Sequence, residues 1–138
     1  MWLFNFCMRV IAWQYRLEGR KHQKPSPVCS KGERAIKSVL VKHGIEHEAQ
    51  YAISPYMHAD FAVHVNGRLM LIEYDGRQHY HPVKRFGGWN AFMVQRIRDT
   101  LERMECHHRK VPLLRIKYNL PMEKIEPVVM GFIRKNRN

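Results

Sequence analysis

The sequence predicts an α/β fold with elements in the order α-β-β-β-α-β-α around a mixed central sheet. Three observations predict it. Alternating runs flank Asn66-Gly67, the strongest short-range signal for a two-residue type I′ hairpin. Stripes of helical period stand before and after that hairpin. A compact apolar strand near Val111 returns only after a helix, so it lies parallel to a neighbour, as in a βαβ crossover.

The elements follow in order. Met1 to Tyr15 is apolar and aromatic enough for a short packed helix, and RLEGRKHQKPSP is a basic linker ended by two prolines. Residues 1–29 therefore form a lead to one domain over 30–138. Arg16, Arg20, Lys21 and Lys24 suit either a phosphate-contacting arm or a solvated linker. Ser30 to His43 reads as the first helix, with Ala35, Ile36, Val39, Leu40 and Val41 as its apolar stripe and Gly44 as its stop. Ser30 followed by Glu33 has the spacing of a capping box, which gives Glu33 a purely structural role. Ile45 to Tyr51 suits an edge strand, and Pro55 breaks the chain before the hairpin.

Asp60 to Val65 and Arg68 to Tyr74 are the hairpin strands. A two-residue loop pairs Val65 with Arg68, Val63 with Met70 and Phe61 with Ile72, and one step further it sets Asp60 opposite Glu73. Alternation places Asp75 on the same face. An acidic cluster thus sits inside a basic chain. The next loop, DGRQHYHPVKRFGG, carries Arg77, Gln78, His79, His81, Lys84 and Arg85, with glycines that let its backbone approach a ligand. Asn90 caps a helix to about His107 with Ile97, Leu101 and Met104 toward the core. Arg96, Arg98 and Arg103 on its other faces suit phosphates or plain solvation, and Asp99 has the spacing for an intrahelical ion pair with Arg96 or Arg103. Val111 to Tyr118 is the parallel strand. Pro121 opens a last helix through Ile125, Val129, Phe132 and Ile133, with Pro127 able to delay or kink it.

Composition bounds the function. The chain has 138 residues, 24 Lys and Arg against 12 Asp and Glu, and a formal net charge of +12. That length suits one domain, and that excess implies a polyanionic partner, most simply nucleic acid, with an anionic membrane surface as the weaker choice. Three widely spaced cysteines, Cys7, Cys29 and Cys106, argue against a disulfide framework and for a reducing compartment. The apolar start is too short to span a bilayer and lacks a signal-peptide pattern, so a soluble intracellular protein with no membrane partner is expected.

An acid opening one strand, with Glu near the end of its hairpin partner, resembles the core of PD-(D/E)XK nucleases. LIEYDGRQHY resembles the E-x-D-G-x-x-H signature of the branch that groups very-short-patch-repair-like endonucleases with homing endonucleases having a Glu, Asp, His, Asp active site. QRIRD and LLRIKY are similar to the Arg-Asp helix and Leu-Arg strand of that branch, and the resemblance covers roughly Ser30 to Ile133. It implies a restriction-endonuclease-like core, a DNA endonuclease, and Glu33, Asp60, Glu73, Asp75, His79 and Asp99 at or beside the active site. It lends Glu33 a second role that need not exclude the cap. Two departures stand out: Ala59 replaces the usual Pro before the first acid, and Asp75 stands where the family has Lys, leaving His79 or Gln78 as substitutes.

Chemistry completes the expectation. Asp60 and Glu73 offer hard oxygen ligands of the kind Mg²⁺ or Mn²⁺ accepts. His79 is the general base or acid, and Asp75 either joins the metal site or orients His79. Arg77, Gln78, Lys84, Arg85, Arg96 and Arg115 are expected to contact nucleic acid. Structural Zn²⁺ on Cys106, His107 and His108, with His81 or Cys29, matches no strong zinc spacing, and histidines complementing a helix dipole account for the same residues. The rival to an endonuclease is a non-catalytic DNA-binding module on the same fold.

Overall fold

The computed structural model describes residues 29–54 and 57–138. The expected N-terminal helix, the basic linker and the break at Pro55 lie outside the described residues. The others fold as α1 (Lys31–Lys42), β1 (Glu46–Ser54), β2 (Met57–Val65), β3 (Arg68–Asp75), α2 (Gly88–His108), β4 (Leu113–Lys117) and α3 (Met122–Asn136). The sheet runs β1-β2-β3-β4, antiparallel except for the β3–β4 pair, which is parallel. This is the expected α/β order with a mixed sheet. No helix among the described residues is long and apolar enough to cross a membrane.

Local chemistry explains the boundaries. Ser30 Oγ accepts the Glu33 amide at 3.2 Å while Glu33 Oε1 accepts the Ser30 amide at 3.3 Å, a complete capping box. At the other end Gly44, at φ 61°, lets the chain turn out of α1 into β1. Asn66 and Gly67 have φ 53° and 73°, the two left-handed residues a type I′ turn demands. The hairpin register is the expected one, with Val65 against Arg68, Val63 against Met70 and Phe61 against Ile72.

Two apolar layers flank the sheet. On one face Ile36, Val39 and Leu40 of α1 and Ile125, Val129 and Ile133 of α3 pack on Phe61, Val63, Met70, Ile72 and Ile116. On the other face a smaller cluster joins Leu101 and Cys106 of α2 to Ile53, Met57, Ala59, Ala62 and Leu71. Here one expectation is corrected. Ile97 and Met104 do not face the core but are 47% and 54% exposed, and the buried side of α2 is Asp99, Leu101, Glu102 and Cys106. Helical period alone favoured the apolar stripe, but Arg115 of β4 supplies a buried positive charge that turns the acidic stripe inward.

Candidate active site

The site begins with strand alternation. On β3, Ile72 and Tyr74 join the α1 and α3 side of the sheet, while Leu71 belongs to the α2 side, as by alternation do Glu73 and Asp75. Arg115 lies beside Glu73 in the parallel β3–β4 register. Its guanidinium is the hub. Nε donates to Asp75 Oδ2 at 3.0 Å, Nη2 to Asp75 Oδ1 at 2.6 Å and to Asp99 Oδ1 at 2.9 Å, and Nη1 to Glu102 Oε2 at 2.5 Å. All three carboxylates are buried, Asp75 at 2% exposure. Buried charges are tolerated when paired and hydrogen-bonded, and this guanidinium binds one acid in a bidentate fork and two more singly.

His79 hangs on this hub. β3 ends at Asp75, and a single 3₁₀ turn, Arg77–His79, returns the imidazole toward α2. Its Nδ1 lies 3.0 and 3.1 Å from the Asp99 oxygens. Asp99 also accepts Gln95 Nε2 at 2.8 Å. Burial opposes ionisation of Asp99, but the His79 and Gln95 hydrogen bonds and the His79 and Arg115 charges together hold its carboxyl below the usual range. An ionised Asp99 only accepts, so Nδ1 carries the hydrogen and Nε2 keeps its lone pair when the ring is neutral.

Beyond the hub lie Asp60 and Glu73. The β2–β3 ladder ends at Phe61 and Ile72, one step before this pair, and Asp60 Oδ2 accepts the Tyr74 amide at 2.7 Å. Burial pushes the Asp60 carboxyl up to about 6, with the Glu33 and Asp75 charges adding to it. Glu73 is raised well above the ordinary carboxylate range by burial and by the Asp60 and Glu102 charges, which Arg115 does not offset. Asp75, Asp99 and Glu102 thus bind one arginine, Glu73 feels its charge, and Asp60 lies at the far side of Glu73. Glu33 is tied to them through α1: Gly32 lies so close under the Tyr74 ring that a Cβ there would come within 2.2 Å of it.

The expected residues divide accordingly. Glu33 sits in the capping box, and its charge still reaches Asp60. Asp75 has both oxygens on Arg115 and a further bond from Tyr80 Oη at 2.8 Å, while its Oδ1 is 3.7 Å from His79; Asp99 is the carboxylate that orients the imidazole. Asp99 does not form the intrahelical side-chain pair. Arg103 Nε reaches its backbone carbonyl instead, at 3.2 Å. Arg115, expected at a phosphate, is committed to carboxylates, because an arginine in the half-buried strand LLRIK needs counter-charges there. Gln78 folds back over Gly76, whereas Arg77, Lys84, Arg85 and Arg96 are exposed. Arg96, with Arg103, Tyr80 and His107, lines a groove of about 560 Å³ that reaches Asp75, Asp99 and Arg115.

Cys106 is buried with its thiol pushed up to about 11 by burial, while His107 and His108 are exposed, so the suggested zinc trio does not converge. Glu102, Tyr80 and Gln95 were not expected at the site. The signal for the first and last was the i, i+4, i+7 series Gln95, Asp99, Glu102, a polar stripe with the same period as an apolar one. No family model, no curated protein and no solved structure matches the chain, so its reading rests on this geometry and on the sequence motif.

Proposed function

We propose that the protein is a divalent-metal-dependent DNA endonuclease in which Asp60 and Glu73 hold the ion and His79 is the general base or acid. One observation carries this: two acids at the open end of a hairpin stand beside Arg115, the arginine that also binds the Asp99 of a His79–Asp99 pair, in a chain of net charge +12. Such a cluster is costly in the metal-free protein, as the raised Asp60 and Glu73 carboxyls record. The donor set fits a hard cation. Mg²⁺ is commonly held by only one or two carboxylates beside waters and phosphate, and among the described residues no group of three His, Cys, Asp or Glu side chains is gathered to hold an ion. When bound, Mg²⁺ or Mn²⁺ would neutralise phosphoryl charge and acidify a water.

The protein's own groups do the rest. His79 Nε2, with Nδ1 fixed by Asp99, accepts a proton from the attacking water or returns one to the leaving oxygen. Arg115 does not touch the phosphate in this reading; it holds Asp99 and so the imidazole. Exposed Arg77, Lys84, Arg85 and Arg96 position the strand through its phosphates. Incubation with supercoiled, linear and branched DNA in Mg²⁺, Mn²⁺ and EDTA tests the proposal. Cleavage with metal and none in EDTA is expected, and tight binding with no cleavage in either metal would establish the non-catalytic module instead.

Duplex affinity should fall steeply with salt, with a log-log slope of about −0.9 per phosphate neutralised. A flat salt response in a filter-binding titration refutes the nucleic-acid reading.

The raised Asp60 carboxyl predicts how metal and pH interact. An acid whose folded-state pKa lies above its unfolded value stabilises the fold below the unfolded value, and this stabilisation is lost as pH rises through the folded one. Metal-free melting temperature should therefore drop as pH climbs from the ordinary aspartate value of 3.8 through about 6. Mn²⁺ should restore it on the high side, by about 2.7 kcal/mol at one hundred times its dissociation constant. Asp60→Asn keeps an acceptor for the Tyr74 amide while removing the charge. It should flatten the pH dependence, leave metal-free stability at pH 7 equal or higher, shrink the Mn²⁺ shift and abolish cleavage. Melts of both proteins with EDTA and with Mn²⁺ decide; a destabilised variant whose parent ignores Mn²⁺ disproves the site.

A further inference from the structure

Glu102 lies one turn beyond Asp99 on the sheet-facing side of α2 and is 7% exposed. Its two oxygens have different fates. Oε2 accepts Arg115 Nη1, whereas Oε1 is the one buried side-chain polar atom among the described residues with no hydrogen-bond partner. Native proteins seldom leave a buried acceptor empty, and an exception marks the seat of a water, an ion or a functional role. Arg115, which bonds Glu102, lies beside Glu73 in the strand register, and Glu73 feels the charges of both Glu102 and Asp60. Three carboxyl groups therefore run from the hairpin to the helix.

Direct coordination by all three is not what the geometry offers. No group of three ligating side chains is formed among the described residues, and the Arg115 bond restrains Glu102 from swinging toward the hairpin. A water on the ion is different, since it carries two hydrogens and stands one bond length further out. We propose that Glu102 is a positioning residue of the metal site, its Oε1 accepting a hydrogen bond from a water bound to the divalent ion that Asp60 and Glu73 hold. This rests on the metal-dependent reading above. It also gives Arg115 a second purpose, because the same guanidinium fixes Glu102 on one side and Asp99, with His79, on the other. The spacing between the ion's water and the imidazole is then set by one rigid group.

Two substitutions in the full chain test this through Mn²⁺ affinity, read by calorimetry and by the electron paramagnetic resonance of free Mn²⁺. In Glu102→Gln the amide oxygen can keep the Arg115 bond, which leaves an N–H donor where an acceptor is required. Glu102→Asp keeps the charge but withdraws the oxygen by one methylene. Partners of metal-bound groups typically contribute about 10- to 100-fold in metal affinity, and weakening of that size is expected in both variants. If neither weakens, Glu102 plays no part at the ion, and if Glu102→Asp binds Mn²⁺ like the parent while Glu102→Gln does not, charge alone matters; either result overturns the assignment with the metal site intact. If the parent itself binds no Mn²⁺, the metal-dependent reading falls first. Should Glu102→Gln not fold, Glu102→Asp decides the question alone.

Discussion

Arg115→Met should lose about 3–5 kcal/mol of folding stability at pH 7.5, the range found when one partner of a buried ion pair is removed. Domains of this kind have only about 5–15 kcal/mol in total, so the variant is expected to be barely folded. The guanidinium is 12% exposed and neutralises Asp75, Asp99 and Glu102, whose side chains are 3%, 5% and 10% exposed. Methionine fills much of the volume but leaves three acids in an apolar layer. The pH dependence identifies the cause. In the parent, the depressed Asp99 carboxyl stabilises the fold above its unfolded pKa, and this is lost as pH falls through its folded value. In the variant the buried acids lose the guanidinium that favours their ionised form, so stability should rise as pH falls. The deficit should therefore narrow between pH 7.5 and pH 4.5 in urea titrations. An equal deficit at both pH values would mean that packing, not charge, is what Arg115 provides. Arg115→Lys should fall between, because one ammonium cannot bind three acids in fixed directions.

His79→Ala should lower cleavage on the order of 10² or more while DNA affinity is unchanged, since general acid or base catalysis commonly contributes about 10² to 10⁴. His81→Ala should do much less. The two histidines differ in setting: the His79 side chain is 16% exposed and aimed by Asp99, whereas His81 is exposed and meets the edge of the Tyr118 ring. Single-turnover cleavage and binding of the two variants, measured side by side, check the assignment. Equal small losses would remove His79 from the mechanism, and a parallel loss of affinity would make it a DNA contact.

The hairpin was legible because Asn66-Gly67 admits few turn geometries, and a two-residue loop dictates which residues pair. Asp60 and Glu73 follow from that count, although the ladder stops just short of them and Asp60 bonds the Tyr74 amide instead. The Ser30 and Glu33 cap was legible for the same reason, its partners being three residues apart. The orientation of α2 was not. Its apolar positions Ile97, Leu101 and Met104 and its polar positions Gln95, Asp99 and Glu102 both recur at helical spacing, and of the apolar set only Leu101 is buried.

What the sequence by itself determined is local: the order of elements, the turn, the strand register and the acids that alternation places on one face. These depend on backbone geometry over a few residues. What only the tertiary structure decided is which acids meet which cation. Arg115 is 40 residues from Asp75, 16 from Asp99 and 13 from Glu102, and nothing in local spacing brings them together. The parallel return of β4 beside β3 puts the guanidinium under α2. Once it is there, burying three carboxylates around it costs less than leaving a lone buried charge, and the helix turns its acidic side inward.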